Sequence, residues 1–146
     1  TSNKSESAVG YSTMYGDMCG SLAPIADVSK TMVYKLCEYI NHERDRIPNS
    51  IITKPPSAEL RPGQLDQDSL PDYDVLDAII DMYVEKKMSA DQIVKKGYHK
   101  DLVLRILNLI DRMEYKRRQA PPPLKITAHT LGIDVKLPVI QRFNRK

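Results

Sequence analysis

What the sequence has little of narrows its chemistry before any motif is read. It carries two cysteines, Cys19 and Cys37, with no Cys-x-x-Cys spacing. They are expected to stay reduced in a cytoplasmic protein, and neither is a strong nucleophile candidate. No apolar run approaches the roughly 18 residues of a membrane span, so no membrane association is expected. The first residues show no basic segment leading into an apolar core, so no secretory signal is expected either. The six glycines include no adjacent pair, and a glycine pair is what lets backbone N–H groups close on a phosphate. His42, His99 and His129 are scattered and suggest neither a metal site nor a general base.

What is present suits one soluble domain. A 41% hydrophobic content over 146 residues is enough for a core, and 28% charged residues argue against wholesale disorder. The net charge of +3 conceals an asymmetry: residues 1–94 hold 9 basic and 15 acidic side chains, residues 95–146 hold 13 and 4. Lys116, Arg117, Arg118, Lys125 and Arg145 belong to that basic end. It either meets an anionic partner (a nucleotide, a nucleic acid or an acidic domain) or is a solvated surface. Of these, Arg117 and Arg118 read as surface or intersubunit residues.

Along the chain, residues 1–26 are rich in small hydroxyl residues and glycine. Over 27–46 the spacing predicts a helix, with Asp27 or Ser29 as N-cap and Met32, Val33, Leu36, Cys37 and Ile40 on its inner face. Residues 47–72 carry five prolines and read as a long loop. Loops of that length are usually functional lids or disordered. Over 73–118 helices return. The first buries Val75, Leu76, Ile79, Ile80 and Tyr83, a short one follows with Ser89 as cap and Gly97 as stop, and the strongest runs from Lys100 to about Arg118. Its stripe is Leu102, Val103, Ile106, Leu109, Ile110 and Met113. Residues 119–146 are a proline break and a tail with short extended pieces in "LKIT" and "LPVIQRF". Helices so apolar normally cover strands, and the chain supplies few.

Three stretches then become specific in combination. "TSNKSESAVGYSTMYGDMCGSLAPIADVSKT", "IITKPPSAELRPGQLDQDSLPDYDVLDAI" and "RMEYKRRQAPPPLKIT" follow one another in order. Together they resemble the C-terminal motifs of the synthetase domain of glutamine-dependent NAD+ synthetases. The resemblance implies an α/β fold, of which this chain would be the mostly helical C-terminal part of an adenine-nucleotide alpha-hydrolase-like, Rossmann-like domain. It also implies ATP-dependent amidation: AMP is transferred to the nicotinate carboxylate of deamido-NAD+, and ammonia derived from glutamine displaces it. ATP and Mg2+ are the implied cofactors.

By that resemblance Thr1, Lys30 and Ser57 are ATP contacts, and Glu6, Tyr11, Ser12, Thr13, Met14 and Lys116 are deamido-NAD+ contacts. Glu6 is also the implied Mg2+ ligand, and Asp17 organises the same pocket. Met14 stands where ammonia-only relatives can carry a lysine, so a cationic contact is not expected there. Residues 47–72 become a mobile loop over the adenylation site, with Lys54 and Glu59 as weaker contacts; Asp66 and Asp68 read as metal ligands or, the preferred reading, as solvated loop acids. The family's S-G-G-x-D-S phosphate loop and its glutaminase domain have no counterpart in these residues. The expectation is therefore a piece of a larger synthetase, inactive alone, partnered by the missing portions and self-associating. The competing expectation is a basic helical nucleic-acid-binding module, which has no recognised binding motif and only Phe143 and few tyrosines among its basic residues.

Overall fold

The computed structural model describes residues 2–57, 61–141 and 145. Its first helix, α1 (Lys4–Val9), begins in the T-x-N-x-S-E stretch because that spacing is a reciprocal cap. The Asn3 side chain accepts from the Glu6 N–H at 2.9 Å, and the Glu6 carboxylate accepts from the Asn3 N–H at 3.3 Å. Gly10 ends the helix with φ 71°, a left-handed cap that disfavours any side chain.

Helix α2 (Lys30–Asn41) starts at Ser29, whose hydroxyl accepts from the Met32 N–H. None of its residues is buried: Met32, Leu36 and Ile40 stay 45%, 42% and 44% exposed, contrary to the inner face expected of them. Helices α1 and α4 pack against α2, and neither covers that stripe. The 47–72 loop contains a short helix, α3 (Asn49–Thr53), and a 3-10 turn at Asp66–Asp68.

The core forms where α1 meets α4 (Tyr73–Ile80), α5 (Ala90–Val94) and α6 (Lys100–Arg112). Helix α4 continues into one π-type turn, Asp81–Glu85, and buries Leu76, Ile79 and Ile80, with Val75 and Tyr83 only partly covered. Ser89 caps α5 together with Gln92, and Gly97 takes φ 100° beyond its end. Ile93, Val103, Ile106 and Ile110 are completely buried. So is Leu107, whereas Leu102 and Leu109 are only partly covered. The single helix expected to about Arg118 breaks at Met113 (ψ 8°) and resumes as α7 (Glu114–Arg117).

Among the described residues the tail forms no strand, only single bridges joining Ala23 to Pro123 and Leu131 to Val135. The reason lies in the "LKIT" backbone donors. The N–H groups of Ile126 and Thr127 both go to the Asp27 carboxylate, at 2.9 and 2.8 Å, and are taken from any neighbouring strand. Asp27, expected as a possible cap, is instead fully buried and also bonds the hydroxyls of Thr127 and Thr130. The buried Lys4 ammonium completes this knot, 3.0 Å from Asp27 and 2.6 Å from Glu85. Burial alone would raise the Asp27 and Glu85 pKa values. The backbone donors at Ile126, Thr127 and His129 and the Lys4 cation outweigh it, holding both below the ordinary carboxylate range. No helix is long and apolar enough to cross a membrane, among the described residues.

Candidate functional site

One open cleft of about 780 Å³ lies beside the C-terminal end of α1. One wall is the turn that follows Gly10. Here Asp17 accepts from the Thr13 N–H at 2.6 Å, folding 13–17 back on itself, and Tyr15 adopts φ 61° with its ring in solvent. The floor is Lys116 on α7. Its ammonium donates to the carbonyls of Gly10 at 2.7 Å and Ser12 at 2.8 Å, so two of its three donors shape the turn and one remains for a ligand. The α6–α7 break gives this end of the chain its own direction. It also sets Arg117 beneath α1, where its guanidinium donates to the Ser7, Ala8 and Ile110 carbonyls.

Glu6 reaches the cleft from α1. Its second oxygen accepts from Lys30 at 3.2 Å, and the Lys30 ammonium lies 5.4 Å from the Tyr73 ring centre. Opposite the turn, the proline-rich loop contributes Ser57, Gln64 and Asp66. That loop is fastened to the turn by a 3.1 Å hydrogen bond between the Tyr11 and Ser69 hydroxyls. It is fastened to α4 by the Tyr73 hydroxyl, which donates to Asp66 at 2.6 Å. Burial, the Asp66 bond and the charges of Asp66 and Glu6 push the Tyr73 hydroxyl far above its ordinary pKa, so it acts there only as a donor.

The structure thus brings Glu6, Tyr11, Ser12, Thr13, Met14, Asp17, Ser57 and Lys116 to one cleft, from three separate stretches of sequence. Lys30 is held to it through Glu6. Thr1 and Glu59 lie outside the described residues, and Lys54 lines a separate depression with Arg61 and Gly63. Two expectations need correction. Asp66 is buried at 4% exposure, because Tyr73 and the Pro56 carbonyl anchor it. Arg117 is buried at 7% exposure, because Glu114 and the helix-end carbonyls accept its donors. Arg118 is exposed as expected, yet it too binds Glu114, at 3.1 Å.

Gly10 and Gln64 line the cleft without having been singled out in the sequence. The Asn3–Glu6 capping box, three residues apart and followed by a glycine, carried a signal for Gly10; nothing local marked Gln64. No three metal-binding side chains converge, among the described residues.

A family model described as NAD synthase matches residues 1–120. The chain belongs to the NAD synthase family. It is 54% identical over 144 residues to the glutamine-dependent NAD(+) synthetase of Synechocystis sp., covering 99% of this chain and 26% of that protein. To the protein of the same name from Aquifex aeolicus it is 52% identical, covering 98% and 25%. The chain therefore spans about a quarter of the length of these curated relatives. A crystal structure of a glutamine-dependent NAD(+) synthetase from Cytophaga hutchinsonii superposes with a TM-score of 0.70 at 24% identity, over 97% of this chain and 24% of that one, and shares its fold. Every residue lining the cleft falls inside the NAD synthase match.

Proposed function

We propose that this chain forms the deamido-NAD+ side of the synthetase site in a glutamine-dependent NAD+ synthetase, where ATP drives amidation of deamido-NAD+. The observation that carries the reading is the convergence of the three stretches on one cleft. Its volume is in the range typical of small-molecule sites. A carboxylate is a poor electrophile, so the reaction needs an adenylate. A nicotinate oxygen attacks the α-phosphorus of ATP as the bond to pyrophosphate breaks. The ammonia lone pair then attacks the acyl carbon, the C–O bond to AMP breaks, and nitrogen sheds a proton.

In this scheme Lys116 offers its remaining donor to deamido-NAD+, Tyr11 and the Ser12 and Thr13 hydroxyls contact its ring and sugars, and Met14 gives an apolar contact. Lys30, Ser57 and Thr1 serve ATP. Closure of the 47–72 loop keeps water from a hydrolysable adenylate. Glu6 fits a Mg2+ that keeps its waters and rides on the triphosphate, since one carboxylate is what such an ion takes from a protein and no richer ligand set is present among the described residues. Bound there, the ion would neutralise developing phosphate charge.

The exposed stripe of α2 suits a Rossmann-like sheet supplied by other parts of the synthetase, together with the phosphate loop, the glutaminase domain and a second copy in a cytoplasmic assembly. The nucleic-acid reading is disfavoured because Arg117, Lys125 and Arg145 spend their charge on Glu114, Asp134 and Asp111.

The test is a chimera in which residues 1–146 replace the matching quarter of the Synechocystis synthetase. NAD+ should form from deamido-NAD+, ATP and Mg2+ with either ammonia or glutamine, and the 146-residue chain alone should turn nothing over. Lys116→Met in the chimera should raise the deamido-NAD+ KM by roughly ten- to a hundred-fold, the loss of one charge-assisted bond. A folded chimera that makes no NAD+ would overturn the proposal.

A further inference from the structure

One residue lining the cleft has a carboxylate oxygen with no hydrogen-bond partner. Asp66 is 4% exposed and lines the cleft beside Glu6, Ser57 and Gln64. Its Oδ2 accepts from Tyr73 at 2.6 Å, its N–H donates to the Pro56 carbonyl at 3.0 Å, and its carbonyl accepts from the Leu70 N–H at 2.9 Å. Only Oδ1 is buried with no partner at all. Leaving a dry carboxylate oxygen unsatisfied is costly, and a folded protein keeps such a group where a ligand will complete it.

The chemistry of the vacant partner follows by elimination. An ionised carboxylate only accepts, so the partner must donate, which excludes phosphate oxygens and the nicotinate carboxylate. Neither nearby protein cation bonds Oδ1: Lys30 donates to Glu6, Lys116 donates to the Gly10 and Ser12 carbonyls, and the remaining Lys116 donor is assigned to deamido-NAD+. The Mg2+ assigned to Glu6 keeps its waters and needs no second carboxylate, so Asp66 is not required as its ligand. The donors that remain are on the reactants, ammonia and the nucleotides, and the nucleotides bring the larger number. Most such donors on a dinucleotide are ribose hydroxyls, and a fixed carboxylate is a recurrent partner for a ribose diol.

We propose that Asp66 is a ligand-binding residue, and that its unpartnered oxygen receives a ribose hydroxyl of the bound nucleotide. This inference rests on the nucleotide reading of the cleft. Tyr73 is then a positioning residue, holding one carboxylate oxygen so that the other is presented in a fixed direction.

The experiment compares ATP and deamido-NAD+ with their 2′-deoxy and 3′-deoxy ribose analogues in the chimera. Loss of the contacted hydroxyl should lower kcat/KM by roughly ten- to a hundred-fold, the worth of one charge-assisted hydrogen bond. Whichever nucleotide shows the drop identifies the sugar. In Asp66→Ala the natural and deoxy substrates should differ by no more than about twofold, and Asp66→Asn, which retains the Tyr73 bond, should restore part of the discrimination.

If the unsubstituted chimera discriminates no deoxy analogue, the proposal is wrong, and this arm holds even where the Asp66 variants fail to fold. It is equally wrong if Asp66→Ala keeps the discrimination, or if that variant changes only the KM for ammonia. A chimera that makes no NAD+ from natural substrates fails the nucleotide reading itself, a separate result.

Discussion

Arg117 places a full positive charge under the first helix of the cleft, where the sequence suggests solvent. Its burial lowers the guanidinium pKa, but Glu114 opposes that shift and the group stays charged. Because its donors end on carbonyls of α1 and α6, it joins the two helices that frame the site. Arg117→Met should therefore destabilise the fold by about 3–5 kcal/mol, since it leaves one buried Glu114 oxygen and three carbonyls without their donor, Arg118 holding only the other Glu114 oxygen. Urea denaturation of the two proteins reads this directly, and a change under about 1 kcal/mol, the scale of an exposed pair, would contradict it. Nothing in "EYKRRQ" distinguishes Arg117 from Arg118. The two differ only in which way the 112–114 break turns them. That is why residue type located the basic cluster and could not say which member goes inside. Asp66 was illegible for the same reason, its burial depending on Tyr73 seven residues away.

At the scale of elements, helix starts were the most legible feature, because Ser29 and Ser89 declare themselves through local hydrogen-bonding chemistry. Ends and faces were less so. The α6–α7 break carries no proline or glycine, and Met113, where it falls, packs closely against Gly10. A Cβ built on Gly10 would sit 2.4 Å from the Met113 Cγ, and φ 71° already disfavours a side chain. Gly10→Ala should thus cost about 1–3 kcal/mol. It should also disturb the turn that Lys116 holds, so in the chimera the deamido-NAD+ KM should rise along with the loss of stability. A lower thermal midpoint with an unchanged KM would separate the helix cap from the cleft. The inner face of α2 shows the opposite limit. Its period was read correctly, but periodicity identifies an apolar stripe and not the surface that covers it.

For the molecule as a whole, the Lys4–Asp27–Glu85 knot sets the response to acid. Both carboxylates have folded pKa values below their unfolded ones, so their stabilisation is complete above the ordinary carboxylate range near 4. It is lost as pH falls through the lowered folded values. The urea midpoint should stay level between about pH 7 and 5 and fall steeply below about 4. Lys4→Met should be less stable at neutral pH and lose less on acidification; an unchanged profile in that variant would show that the knot is not the acid-sensitive element. The site as a set was legible because its three stretches carry distinctive residue types in order. The knot that braces it was not, since Lys4 and Asp27 look like ordinary surface charges until Thr127 and His129 close over them.

That knot also gives the protein a timetable. Lys4 bonds Thr127 and His129, 123 and 125 residues further along the chain. At about 5–20 residues per second on the ribosome, Lys4 waits on the order of 6–25 s for the two neutral partners that complete its hydrogen bonding. The knot therefore gains its last partners long after Lys4 has been made.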